Sequence, residues 1–202
     1  MPDWDYAGNG NYFITLVTQN RVCILGKINN NKIILSDFGK IVNNEWMKSF
    51  EIRDELFLDE YIIMPNHLHA IVKLRTNNIV DTNGRSYLQY YQQYQQYQQR
   101  QKHADLSNQS ANNHQKLFIR KPKSISSFIA GFKSAVNSKI DDYIDENNLD
   151  IPKYNQKNHF FQPNYNDHII RNYDSYLRIK NYIKNNPQNW TGDRLNNDKT
   201  EN

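Results

Sequence analysis

Two histidines separated by one leucine, His67 and His69, stand inside the apolar run Tyr61-Ile-Ile-Met-Pro-Asn-His-Leu-His-Ala-Ile-Val-Lys-Leu74. Side chains two apart on a strand project from one face, so both imidazoles can reach a single divalent cation. Leu68, Ile71, Val72 and Leu74, with Ile62 and Ile63 before them, mark a buried strand. Two unpaired imidazoles there are costly unless something binds them. Far downstream, Tyr182 and Asn186 are four apart in a helical pattern and so share a face. A phenol with an ordinary pKa of about 10 attacks phosphorus at neutral pH only with help from a cation on the scissile phosphate, which offsets developing charge and orients an in-line displacement. His67, His69 and Asn186 could supply three ligands for that ion and leave positions open for phosphate oxygens and water. Tyr182 is then the candidate nucleophile.

The elements that must gather these residues follow from periodicity. Residues 12–18 are β-branched and aromatic and read as a strand, followed by a polar, turn-rich loop over residues 19–31 and a short return strand at 32–35. Ser36 can N-cap an amphipathic helix over 37–50, whose apolar positions are Phe38, Ile41, Val42, Trp46, Met47 and Phe50. Residues 57–64 and 67–74 form a strand pair joined at Pro65-Asn66. Ser124 caps a second helix with a buried stripe of Ile125, Phe128, Ile129, Phe132, Val136 and Ile140, closed by Asn147-Asn148. A strand over 160–170 follows. Asn172 or Asp174 then starts a last helix carrying Tyr176, Ile179, Tyr182 and Ile183, which Pro187 closes. The order strand, helix, strand, strand, helix, strand, helix predicts an α+β ferredoxin-like sandwich, an antiparallel sheet with helices on one face, plus a C-terminal helix that bears Tyr182.

With 202 residues and 38% hydrophobic content, one domain over 1–202 is expected. Residues 75–116 break the composition, being rich in Asn and Gln with the period-three run Tyr91-Gln-Gln-Tyr-Gln-Gln-Tyr-Gln-Gln99, and predict an exposed, largely disordered insertion. Its tyrosines could stack on bases, or the tract is a slippage-expanded repeat in a surface loop. Lys and Arg number 25 against 21 Asp and Glu, a net charge of +4 that permits a nucleic-acid partner without requiring one. The single cysteine, Cys23, excludes an internal disulfide framework and a cysteine-built zinc site. No apolar run is long enough to span a bilayer and the first residues lack signal-peptide character, so no membrane partner and a cytoplasmic location are expected.

Met64-Pro-Asn-His-Leu-His69, followed far downstream by Tyr182-Ile-Lys-Asn-Asn-Pro187, resembles the HUH single-tyrosine transposases, and among them the REP-associated tyrosine transposases. Further segments resemble that family in matching order: Tyr6 with Asn11-Tyr-Phe-Ile-Thr15, the run Pro122-Lys-Ser-Ile-Ser-Ser-Phe-Ile-Ala-Gly-Phe-Lys-Ser134, the run Phe161-Gln-Pro-Asn-Tyr-Asn-Asp-His-Ile-Ile-Arg171, and Asn186-Pro-Gln-Asn-Trp190. The resemblance implies a metal held by His67, His69 and Asn186, with Mg²⁺ or Mn²⁺ expected, and Tyr182 as nucleophile on single-stranded DNA next to a hairpin. It also implies a covalent 5′-phosphotyrosine and a free 3′-OH that can rejoin strands, in a monomer or homodimer. The 75–116 insertion departs from the family.

Each residue also has a plainer reading. A His-x-His pair can be two satisfied core histidines, Tyr182 can pack beside Ile179 and Ile183, and Asn186 can be a C-terminal cap. His168 and Arg171 follow an apolar-polar alternation, and His168 is left outside the catalytic set. Arg120, Lys121, Lys123 and Lys133 could track a DNA backbone or form a solvated helix face. At the level of function, the alternatives are a non-catalytic RRM-like single-stranded nucleic-acid binder, which lacks an RNP-like run here, and a metal-dependent hydrolase that uses water.

Overall fold

The structure, a computed structural model, describes residues 8–75 and 123–196. Tyr6, Pro122, Arg120, Lys121 and the expected insertion, apart from Arg75, lie outside the described residues. Strand β1 (Gly10–Val17) pairs antiparallel on one side with a long strand that carries the histidines and on the other with a short edge strand. With β2 (Gly26–Asn29), β3 (Lys32–Leu35), β4 (Leu56–Met64), β5 (His67–Leu74) and β6 (Asn166–Ile169), the main sheet runs β4-β5-β1-β6, and β2 with β3 forms a separate hairpin. This order and the intervening helices are those of the expected ferredoxin-like α+β sandwich.

The period of two along β1 and β5 gives the sheet two apolar faces with different partners. Tyr12, Ile14, Leu16, Leu68, Ala70, Val72 and Leu74 are all buried in the main core. Helices α1 (Asp37–Glu51) and α2 (Ile125–Glu146) cover that side and pack on each other. Trp46 of α1 lies 5.2 Å from Phe128 and 5.0 Å from Phe132 of α2, ring centre to ring centre. Fully burying side chains of this size stabilises by roughly 1.5–3 kcal/mol each. Both helices start at serine caps: Ser36 accepts from the Gly39 amide, and Ser124 and Ser127 form a reciprocal capping box.

The opposite face carries the second cluster, in which Ile71 packs with Ile170, Ile179 and Ile183 beside Phe13 and Ile62. Ile179 and Ile183 belong to α3 (Tyr173–Asn185), N-capped by Asn172, which therefore lies across the face from which the histidines project. A bulge between Leu58 and Glu60 breaks the β4–β5 register. It lets two consecutive carboxylates serve α3. Asp59 accepts from Lys180 at 2.7 Å and from the Tyr176 hydroxyl at 3.0 Å and also pairs with Lys73, while Glu60 lies 3.4 Å from Lys184.

Four sequence expectations need correction. Residues 26–29 are a strand rather than loop, because Asn30 and Asn31 take φ of 48° and 59° and make a tight two-residue hairpin turn. The expected strand over 160–170 is a ladder only at Asn166–Ile169, with an isolated bridge between Phe161 and Thr18; Pro163 has no amide to donate. Met47 points outward at 40% exposure, off the buried stripe of α1. Lys133 is no open cation on a helix face, since its ammonium donates to the carbonyls of Gln162, Pro163 and Asn164 at 2.6, 3.1 and 3.1 Å.

Candidate metal and nucleophile site

In β5 His67 pairs with Val17 and His69 with Thr15, so both imidazoles leave the α3 side of the sheet, their ring centres 4.5 Å apart. Both are buried. Asn66, in the Pro65-Asn66 turn, donates through Nδ2 to the carbonyls of Arg21 at 3.0 Å and Leu195 at 2.7 Å. With both amide hydrogens used, its Oδ1 can only accept, and it lies 2.8 Å from His67 Nδ1. His67 must therefore carry its proton on Nδ1, which leaves a bare lone pair on Nε2. That atom is buried and has no hydrogen-bond partner among the described residues.

His69 is held by Thr15, whose Oγ1 lies 2.8 Å from Nδ1, and its Nε2 lies 3.2 Å from the hydroxyl of Tyr182. Phe13 packs against both rings, tilted over His69 at 5.2 Å and edge-on to Tyr182 at 6.2 Å. Asn186 is the C-cap of α3, one turn beyond Tyr182. The α-helix ends just before Pro187, as the proline predicts, and a separate 3-10 segment, Asn186–Gly192, with that proline in its first turn carries the chain back over the site. The Asn186 amide donates to Asp193 Oδ2 at 3.3 Å, and its Oδ1, like His67 Nε2, is buried without a partner among the described residues. A cavity of about 690 Å³ opens over the group and is lined by His69, Tyr182, Asn186, Asp193 and Asn166 among others.

Burial sets the electrostatics. Desolvation lowers the His67 pKa to about 4 against the opposing pull of Asp193 and Asn186, and His69 is also well below its ordinary value through burial, His67 and Arg194. Both imidazoles are thus neutral and metal-competent at pH 7. Burial, with Asp193, raises the Tyr182 phenol, which Asn186 and Arg194 partly offset. The donor set fits a divalent ion: His67, His69 and Asp193 each offer a ligand atom, all within 4.8 Å of one another, and two buried acceptor atoms lack a donor among the described residues.

No protein-family model matches the chain. A Haemophilus influenzae protein described as uncharacterized is 30% identical over 195 residues, which cover 96% of this chain and 89% of that one. The chain belongs to that protein's family. Among solved structures, the chain is similar to a REP-associated tyrosine transposase bound to a REP hairpin, at 15% identity, 90% of this chain, 68% of that chain and a TM-score of 0.48. It is also similar to a candidate transposase from Deinococcus radiodurans R1, at 12% identity, 91% of this chain, 93% of that chain and a TM-score of 0.40. At those scores neither likeness bears on the chemistry of this family member.

His67, His69, Tyr182 and Asn186 lie around one cavity or in contact with its lining. His168 is exposed and borders a different hollow with Arg171 and Arg178. Three participants carry no sequence signal strong enough to single them out. Asn66 reads as a turn residue and Thr15 as a strand residue, although each orients one imidazole. Asp193 lies seven residues past Asn186 beyond a proline, where helical periodicity has ended. Among the described residues, no helix is long and apolar enough to cross a membrane.

Proposed function

We propose that this chain is a metal-dependent single-stranded DNA endonuclease and strand transferase of the HUH single-tyrosine kind, cutting next to a hairpin through a covalent 5′-phosphotyrosine. The observation that carries the reading is the pairing of two buried acceptors without a donor among the described residues, His67 Nε2 and Asn186 Oδ1, with a tyrosine, Tyr182, that is 43% exposed to solvent and hydrogen-bonded to the neighbouring His69. Structural histidines would have found partners; an idle tyrosine would have no reason to meet an imidazole at the mouth of a cavity.

His67, His69 and Asn186 would hold Mg²⁺ or Mn²⁺, with Asp193 beside them. Such an ion, when bound, supplies Lewis-acid stabilisation of charge on the scissile phosphate. Asn66 fixes the tautomer of His67, Thr15 anchors the His69 ring through Nδ1, and Phe13 packs edge-on against the phenol. Tyr182 Oη attacks the phosphorus and gives up its proton, the P–O3′ bond breaks, and the departing oxygen takes a proton to become the 3′-OH. A later 3′-OH attacks the phosphotyrosine in reverse and returns the proton to Tyr182. Bond energy is retained, so strands can be rejoined without an external energy source.

The same proposal takes the chain as one domain over 1–202, acting in the cytoplasm as a monomer or homodimer on single-stranded or hairpin DNA. A labelled hairpin oligonucleotide incubated with the protein and Mn²⁺ is expected to give a denaturation-resistant protein–DNA adduct. Tyr182→Phe should give none. An adduct from Tyr182→Phe would remove Tyr182 as nucleophile, cleavage without any adduct would point to water as nucleophile, and binding without cleavage under any divalent ion would favour the RRM-like alternative.

A further inference from the structure

We infer that Asp193 is a positioning residue of the metal site, one that fixes the amide of Asn186 with its oxygen toward the cation; this rests on the metal-binding reading above. An Asn side chain presents an oxygen or an NH₂ group from nearly the same outline, so its neighbours decide which end faces a ligand. Asn186 is 1% exposed, which leaves the choice to the protein. An ionised carboxylate can only accept. With Asp193 Oδ2 at 3.3 Å from Nδ2, the opposite orientation would set the amide oxygen against a carboxylate and turn the NH₂ toward the imidazole pair. The observed orientation instead leaves Oδ1 buried and, among the described residues, without a donor, ready for a cation.

Asp193 is itself held firmly enough to do this. Its Oδ1 accepts from the Leu195 amide at 2.7 Å, its own amide donates to the Trp190 carbonyl at 3.1 Å, and its carbonyl accepts from the Asn196 amide at 3.2 Å. Both carboxylate oxygens are therefore engaged. The 3-10 segment from Asn186 to Gly192 is the device that returns the chain so that residue 193 meets residue 186. Trp190 in that segment also lies 6.0 Å from the His67 ring, centre to centre, so one short turn closes the site over a ligand and its orienting group together.

The test is Mn²⁺ affinity of the full chain, read by the electron paramagnetic resonance signal of free Mn²⁺, in the wild type, Asn186→Ala, Asp193→Ala, Asp193→Asn and the double variant Asn186→Ala with Asp193→Ala. Loss of an orienting group beside a metal ligand typically weakens binding by about 10–100-fold, and Asp193→Ala is expected to fall in that range. Asp193→Asn should be similarly weak, because an amide at 193 can donate to Asn186 Oδ1 and let that side chain turn its NH₂ to the ion. In the Asn186→Ala background, removal of Asp193 should cost less than about 3-fold, since the group it orients is gone. Metal-free melting of each variant confirms folding, and Asp193→Asn stands in should Asp193→Ala fail to fold. Wild-type affinity in Asp193→Asn, or an undiminished loss in the Asn186→Ala background as a direct ligand or a bare charge would give, overturns the inference while leaving the metal site standing. A wild type that binds no Mn²⁺ overturns the site and the inference together.

Discussion

The hydroxyl of Tyr182 lies 3.2 Å from Nε2 of His69, across 113 residues of chain. When His69 carries its proton on Nδ1 and donates to Thr15 Oγ1, 2.8 Å away, the Nε2 lone pair that receives the phenol is the one that a cation would take from the same ring. Phenol and cation therefore compete for Nε2, and Tyr182→Phe is expected to bind Mn²⁺ at least as tightly as the wild type while forming no DNA adduct. Titration of Mn²⁺ binding and denaturing electrophoresis check the two halves. A large loss of Mn²⁺ affinity in Tyr182→Phe would make the tyrosine a ligand instead.

Metal binding should stabilise the fold through the histidine pair. At a concentration 100 times the dissociation constant, a ligand that binds only the native state adds about 2.7 kcal/mol. Added Mn²⁺ should raise the melting temperature of the wild type, and a chelator should reverse it. His67→Ala and His69→Ala should abolish the shift, which thermal melts with and without Mn²⁺ would record.

Acid should weaken the metal-free protein in a window set by His67. Its pKa is lowered to about 4 in the fold by burial, against 6.5 unperturbed. Between those values the unfolded chain takes up a proton that the native state refuses, so stability falls as pH drops through that range and is unaffected by this group above it. Denaturant midpoints measured at pH 7.0, 5.5 and 4.5 should decline, and His67→Gln should make the decline shallower, His69 accounting for the remainder. An equally steep decline in His67→Gln would assign the effect elsewhere.

The seating of the helix α3 depends on Asp59. Burial alone would raise its pKa, but hydrogen bonds from Lys180, Lys73 and Tyr176 prevail and lower it from 3.8 to about 2. Its contribution, of order 2 kcal/mol, is present above pH 3.8 and is lost as pH falls toward 2, a window below that of His67. At neutral pH, Asp59→Asn should cost about that much stability and reduce adduct formation, because α3 carries both Tyr182 and Asn186. Urea melts and adduct yield test it; a destabilised variant with undiminished adduct yield would show that the helix holds its place without this latch.

The amino-acid sequence by itself determined the strand that carries His67 and His69 and the helix that carries Tyr182. His-Leu-His in an apolar run must be a buried strand with both rings on one side, and Tyr182 with Asn186 must share a helix face, because those relations depend only on the repeat of a strand and of a helix. The α+β order was legible for the same reason, and so were the serine caps. Tertiary structure alone decided which atoms are available. Asn66 is committed to carbonyls 45 residues before it and 129 after it, and only that fixes His67 with its lone pair on Nε2. Asp193 reaches Asn186 through a 3-10 turn, Lys133 is drawn to the loop before β6, and the bulge at Asp59 turns an extra carboxylate to α3. Hydrogen bonds of this kind depend on which loops meet in space, and local periodicity carries no record of that.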